Sequence, residues 1–374
     1  MIKKYLVGGA VRDQIMGIPT SDFDYVVVGS TPDEMIKLGY KPIGKDFPVF
    51  LHPETHEEYA LARTEKKISK GYHGFEFYAS PDITLEEDLG RRDITINAIA
   101  QDDSGQFIDP YSGIDDIKNK IIRHVSEAFT EDPLRVIRVA RFKAKFPDFI
   151  IHQSTFALLE KIVMNNEIQT LSAERIVEEI RKALPNSNII KMLEVLEECR
   201  ALNLIFPNSN FVEIRKDASE FFGSPKLSEL HLDNQVILLL LILYSSKQGI
   251  SKEVGVCAKK LKLSSRNKNL INLISQHFLT LSEIESVGQK EQFDFVSSVD
   301  FFRRPNVLYS CLLITQHILD IKKQKHTLGG FISKIKAFEQ TLAESKLEVN
   351  LDLKGKELGS DIKSKRFKIF QQTN

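Results

Sequence analysis

The chain has 374 residues, with 51 basic and 51 acidic side chains and therefore no formal net charge. That length supports two or more domains. Its longest apolar run, 236–244, is half of the roughly 18 residues that span a bilayer, and the N-terminus lacks the apolar core of a signal peptide. Cys199, Cys257 and Cys311 have no metal-ligand spacing, which argues against a disulfide framework and for a reducing, cytoplasmic setting.

In chain order, the apolar run Tyr5-Leu6-Val7 ends at Gly8-Gly9. Paired glycines let a backbone approach a phosphate closely, with their N–H groups pointing outward at a helix start. The helix predicted over 10–16 places Val11 and Ile15 on one face and stops at Gly17, with Pro19 beyond. Arg12 lies in its first turn, where a cation opposes the helix dipole, so it is expected to serve an anionic ligand. Asp22-Phe23-Asp24 follows. Residues two apart on a strand share a side, so the two carboxylates are expected to face solvent together around a cation. Mg²⁺, which takes one or two carboxylates plus substrate phosphates, fits such a pair. The run 25–28 reads as the buried strand behind them. Alone, D-x-D is common at strand ends; its combination with Gly8-Gly9 is the specific signal.

His52 and His56 flank a turn containing Pro53 and read as non-ligands. Residues 58–63 read as a strand on which Glu58 is either a third carboxylate or a strand-edge charge. The basic, glycine-punctuated stretch 66–74 reads as a mobile loop. Arg91-Arg92 opens a motif running through Asp93, Asn97 and Ala98, in which the β-branched run 94–100 reads as a strand or a helix start; arginine forks suit phosphate, and a surface ion pair is the plain alternative. In Glu131-Asp132-Pro133-Leu134-Arg135, Asp132 caps a helix. Arg135, Arg138 and Arg141 fan across its polar side, as a solvated basic face or as donors that, paired with Asp132, read a base edge. From about residue 130 helical periodicity dominates, over 132–146, 172–184, 189–202, 234–245, 267–283, 305–322 and 328–345.

Together, Gly8-Gly9-Ala10-Val11-Arg12-Asp13, Asp22-Phe23-Asp24, Arg91-Arg92-Asp93 with Asn97-Ala98, and Glu131-Asp132-Pro133-Leu134-Arg135 with Arg138 resemble the class II CCA-adding tRNA nucleotidyltransferases, in the gamma-proteobacterial form. The likeness is dense over roughly the first 210 residues, and Asp109-Pro110 with Gly113 and Asp116 resembles the family's head-to-neck connection. It implies an α/β nucleotidyltransferase head, a small mixed sheet with flanking helices, over 1–125. A helical neck (126–210) and an all-α body and tail (211–374) would follow. It also implies CCA addition to the tRNA 3′ end from CTP and ATP, by in-line attack of the 3′-hydroxyl on the α-phosphate with loss of pyrophosphate. Asp22 and Asp24 would be catalytic and would hold Mg²⁺. Gly8, Gly9 and Arg12 would cradle the triphosphate, and Arg92 would contact phosphate or ribose. Asp132 and Arg135 would select the base, supported by Arg138 and Arg141, and the loop 66–73 would switch C to A.

The expected partners are the tRNA acceptor arm, ATP and CTP, with no membrane and a monomeric or weakly dimeric state. Relatives often carry a metal-dependent His-Asp phosphohydrolase domain. Here Tyr244-Ser245 stands where that pair would be, and only His231 and His277 remain as candidate remnants. No phosphohydrolase activity is therefore expected, and the body is left a tRNA-docking role, with the cations of 354–368 as candidate phosphate contacts. The alternatives are an A-adding or CC-adding specialist, a poly(A) polymerase, a transferase acting on a small molecule, or a non-catalytic RNA-binding protein.

Overall fold

The computed structural model describes residues 2–43, 49–67, 75–186, 188–212, 215, 222, 225–246, 249–250, 253–324, 327–345, 347 and 352–373. The chain divides into two compact units, Met1–Pro207 and Asn208–Asn374.

The first unit opens with a mixed sheet. Its strands are β1 (Lys3–Val7), β2 (Asp24–Val28), β3 (Lys41–Ile43), β4 (Val49–Leu51), β5 (Glu58–Leu61), β8 (Ala100–Gln101) and β9 (Phe107–Ile108), in the spatial order β3-β4-β5-β2-β1-β8-β9. Only the β2–β5 pair in it is parallel. Val26 and Val27 are both 1% exposed, so the central strand is buried on its two faces, as its unbroken β-branched run requires. Val7, Val26, Leu89, Ala98 and Ala100 form one apolar cluster; Val27, Met35, Phe50, Tyr59 and Leu61 form another. Strands β6 (Arg63–Lys67) and β7 (Phe75–Ala79) pair as a separate ribbon. They bracket the predicted loop, of which residues 68–74 lie outside the described ones.

Helices α1 (Gly9–Ile15), α2 (Pro32–Lys37), α3 (Leu85–Gly90) and α4 (Gly113–Lys118) flank the sheet. The run 94–100 is not a strand. Its middle is a 3-10 turn, Thr95–Asn97, and only Ala100 joins the ladder. The Asp93 carboxylate takes the Ile94 N–H at 2.9 Å and the Asn97 amide at 3.2 Å, so side-chain bonding displaces the ladder there.

The helical part of this unit comprises α5 (Leu134–Lys145), α6 (Gln153–Met164), α7 (Ala173–Ala183), α8 (Ile189–Glu198) and α9 (Leu202–Ile205). The continuous helix expected over 189–202 breaks at Arg200, which takes a left-handed φ of 63°. Helix α6 was missed by the periodicity reading.

The second unit contains α10 (Leu232–Leu243), α11 (Glu253–Lys260), α12 (Ser265–Ser282), α13 (Gln289–Ser298), α14 (Pro305–Ile321), α15 (Gly329–Glu344) and α16 (Gly355–Gln372). Residues 235–243 of α10 are all buried, which explains its uninterrupted apolar run. Phe338 is fully buried, with Phe293, Phe301, Phe302 and Phe370 at ring separations of 5.1–6.4 Å. No described helix is long and apolar enough to cross a membrane, and all three cysteines are buried free thiols.

Candidate active site

The sheet brings the two N-terminal motifs together. Val7, the last residue of β1, pairs with Asp24, the first of β2, and Asp24 is in register with Glu58 of β5 on its other side. Gly8-Gly9 therefore begins where the carboxylates stand. Asp22 precedes the strand rather than lying in it, and Asp22, Asp24 and Glu58 are all exposed. The Asp24 carboxyl is pushed up from its ordinary range, first by partial desolvation in the cleft and then by the charges of Asp22 and Glu58; Arg92 pulls the other way. Three mutually repelling carboxylates at one sheet edge are the donor chemistry a divalent cation neutralises. Among the described residues no group of three or more His, Cys, Asp or Glu side chains forms a self-sufficient metal cage. A carboxylate pair such as Asp22 and Asp24 would need substrate oxygens to complete the shell of an ion.

Beside this edge lies a cavity of about 500 Å³. It is lined by Gly8, Gly9, Asp24, Asp93, Asn97, Asp132 and Phe142 with eight arginines (Arg12, Arg63, Arg91, Arg92, Arg135, Arg138, Arg141 and Arg175) and Lys145. Nine cations against three carboxylates make it an anion site. Gly8 has a φ of +76°, and a Cβ there would meet Arg92 Nη1 at 3.0 Å; a Cβ on Gly9 would stand 3.4 Å from Arg12 Nη2. Both glycines thus let guanidinium groups close over the turn.

Most of these cations are anchored from behind. Asp88, fully buried, receives Arg91 at 2.8 Å and Arg92 at 3.4 Å. Burial pushes its carboxyl up, but the two arginines outweigh this and hold it below the usual range. Arg12 is buried between Asp13, at 2.7 Å, and Asn97, at 2.5 Å, with the Phe146 ring 5.0 Å away; desolvation lowers its pKa. The helix over 134–145 does not present a solvated basic face. Arg135 is buried, donating to the Ala128 carbonyl at 2.9 Å and the Arg91 carbonyl at 2.5 Å. Arg138 pairs with Asp93 at 2.6 Å, and Arg141 with Glu179 at 2.5 Å. The Phe142 ring lies under Arg12, Arg138 and Arg141. A ring face holds a cation without cancelling its charge.

Asp132 stands one residue before the helix's N-terminal Pro133, its Oδ1 accepting the Leu134 N–H at 3.0 Å, while Oδ2 takes Arg175 at 2.7 Å. Arg175, Glu179 and Lys145 were not singled out in the sequence. The only signal was a charged i, i+4 pair in an amphipathic helix, which reads equally as solvated.

The family models match here. One, "Poly A polymerase head domain", covers residues 4–123, and another, "Probable RNA and SrmB- binding site of polymerase A", covers 148–211. The chain is 60% identical over 206 residues to a CCA-adding enzyme of Coxiella burnetii, a match covering 55% of each chain. It is 40% identical over 336 residues to the multifunctional CCA protein of Methylobacillus flagellatus, covering 80% of each. The chain belongs to the CCA-adding enzyme family. Its match thus spans about half the length of the Coxiella relative and most of the Methylobacillus one. A solved CCA-adding enzyme with ATP shares the fold at a TM-score of 0.73 and 23% identity, over 99% of this chain and 87% of that one. The Thermotoga maritima CCA-adding enzyme complexed with tRNA does so at 0.67 and 21%, over 100% and 88%.

Tyr244, which the sequence reading sets against a His-Asp pair, is buried at the end of α10. His277 packs edge-on against Phe295, at 5.4 Å, as an aromatic. In α16, Lys363 pairs with Asp294 and Lys365 with Asp361, each at 2.7 Å, and Arg366 stacks 3.9 Å over Phe302; Lys356 and Lys368 stay exposed.

Proposed function

We propose that this protein adds CCA to the 3′ end of tRNA from CTP and ATP without a nucleic-acid template. The observation that carries the reading is the pairing of an acidic sheet edge with a cavity lined by nine cations. Transfer of a nucleotidyl group needs both: carboxylates at the reacting centre and fixed positive charge for the triphosphate. Family membership and the likeness to CCA-adding enzymes in complex with ATP and tRNA support it.

Asp22 and Asp24 would hold the metal on which the family's transfer depends, assigned here as Mg²⁺. When bound, it offsets charge on the reacting phosphate and its leaving group. Gly8 and Gly9 admit the triphosphate close to the backbone. Arg12 and Arg92, paired with Asp13 and Asp88, receive its oxygens. Asp132 and Arg135 offer an acceptor and a donor to the base, held in place by Arg175 and by two backbone carbonyls. Arg138 and Arg141 add positive charge beside them. We assign the head to 1–125, the neck to 126–210, and to 211–374 a body and tail that dock tRNA, with the protein acting in the cytoplasm.

The test is extension of tRNA transcripts ending at the discriminator base, at C and at CC, resolved to single nucleotides. All three should reach CCA and stop. Extension of the CC substrate alone would make it an A-adding specialist, and no extension of any would overturn the assignment.

A further inference from the structure

Three observations within the first unit point to Asn97. The Arg12 guanidinium donates from Nη1 to Asn97 Oδ1 at 2.5 Å. Asn97 Nδ2 donates to Asp93 Oδ1 at 3.2 Å. Asp93 Oδ2 accepts from Arg138 Nε at 2.8 Å. Arginine only donates and an ionised carboxylate only accepts, so the Asn97 amide has one orientation that satisfies both neighbours. The line extends past its ends, from Lys145 through Asp13 to Arg12 and from Arg138 to Glu179. Asn97 is 7% exposed, and Asp93 6%. At that burial a broken link leaves an unpaired polar group, so the members hold one another in place.

Asn97 is the only neutral member of this line and joins its two halves. On one side stands Arg12, beside the Gly8-Gly9 turn; on the other stands Arg138, one helical turn beyond Arg135. We infer that Asn97 is a positioning residue that couples triphosphate binding to base selection. This rests on the proposed nucleotidyl transfer. Phosphates drawn onto Arg12 fix the Asn97 amide, which fixes Asp93 and, through it, Arg138 on the base-reading helix. Asn97 lines the cavity with its amide engaged by Arg12 and Asp93, and it acts through them; no proton or bond changes hands.

Equilibrium dialysis against four nucleotides tests the coupling directly. The CTP/UTP affinity ratio is compared with the CMP/UMP ratio, because the monophosphates lack the outer phosphates. In the wild type the triphosphate ratio should exceed the monophosphate ratio, by about 5- to 150-fold if the coupling is of ordinary allosteric size. In Asn97→Ala the two ratios should agree within about twofold, on the same scale. Asn97→Asp keeps an acceptor for Arg12 but sets a carboxylate against Asp93. It should retain most triphosphate affinity while losing the difference between ratios, and it serves as the test should the alanine variant not fold. Persistence of the wild-type difference in either folded variant overturns the inference, as does a uniform loss of affinity with the difference intact. A wild type that prefers CTP over UTP in neither pair would instead overturn the base-reading assignment, and the coupling with it. Normal transfer by a wild type whose two ratios already agree would overturn the coupling alone.

Discussion

The two units bury different chemistry. In the first, Asp88, Asp93, Asn97, Arg12, Arg135 and Glu179 are all buried around one cavity, and each is bonded to another polar group. In the second, the interior is the aliphatic α10 and a phenylalanine cluster packed mostly edge to face, and buried polar groups such as Gln235 and Gln292 are neutral amides bonded to backbone carbonyls. That second unit nevertheless contains the larger cavity, about 760 Å³ between α12 and α14, lined by Arg266, Arg303 and Arg304 with amide, hydroxyl and apolar side chains. Arg303 and Arg304 share one exposed carboxylate, Asp300, at 4.0 and 3.9 Å. Cavity size therefore does not locate the chemistry. What distinguishes the smaller cavity is charge held rigidly from behind and met by carboxylates at its edge, which is expensive to assemble and useful only to an anionic substrate.

The largest expected effect lies at that edge. Asp24→Ala should reduce nucleotidyl transfer by about 10²-fold or more. Its folded carboxyl titrates above 3.8, so its contribution to stability is present below that pH and lost as pH rises through the folded value. Asp24→Asn should therefore melt at the same temperature as wild type or higher at pH 7, and Mg²⁺ should narrow the gap. A variant with full activity would break the comparison at its centre.

Next come losses of stability from opposite causes. Phe338→Ala should destabilise by about 3–5 kcal/mol through a cavity in the second unit, with CTP affinity unchanged in dialysis. Asp93→Asn should cost about 1–3 kcal/mol, because Arg138 loses its nearest carboxylate but keeps Glu179 at 3.6 Å and part of its exposure to water. Against burial, Arg138 and Asn97 hold the Asp93 carboxyl down to about 2. Its stabilisation is therefore complete above the unfolded value near 3.8 and fades as pH falls through 2. Denaturant titrations should show the penalty of Asp93→Asn shrinking over that window, whereas that of Phe338→Ala should not.

Smaller effects follow at the base-reading helix. Arg135→Ala or Asp132→Ala should lose about 1–3 kcal/mol of discrimination among nucleotides, measured as ratios of kcat/KM, with tRNA affinity nearly retained. Weaker tRNA binding with unchanged nucleotide choice would place these residues against RNA. Last, no release of phosphate from 2′,3′-cyclic nucleotides is expected with Ni²⁺ or Mn²⁺; robust release would show that the second unit kept a metal site.

Much of this site was legible in one dimension because its motifs are local. Gly8-Gly9 is required by a positive φ and by the guanidinium groups packed against the turn. Asp132 bonds the N–H two residues ahead, and the strand 24–28 ends in three valines, of which Val26 and Val27 are buried. Helix periodicity located most of the second unit for the same reason. Three things depended on distant partners. The run 94–100 reads as a strand by propensity, and Asp93 turns it into a 3-10 segment. Arg138 and Arg141 read equally as a solvated face or as base-edge donors, and only Asp93 and Glu179, 45 and 38 residues away, hold them in ion pairs. Lys145 carries no pattern and Arg175 only an i, i+4 pairing with Glu179; they line the cavity where Lys145 meets Asp13 and Arg175 meets Asp132. Sequence by itself determines what a residue can do within a turn or two, through periodicity, capping and backbone freedom. Which charges end up neutralised and which remain to face a substrate is decided by burial, because the strength of an ion pair depends on partners and dielectric that only the folded chain supplies.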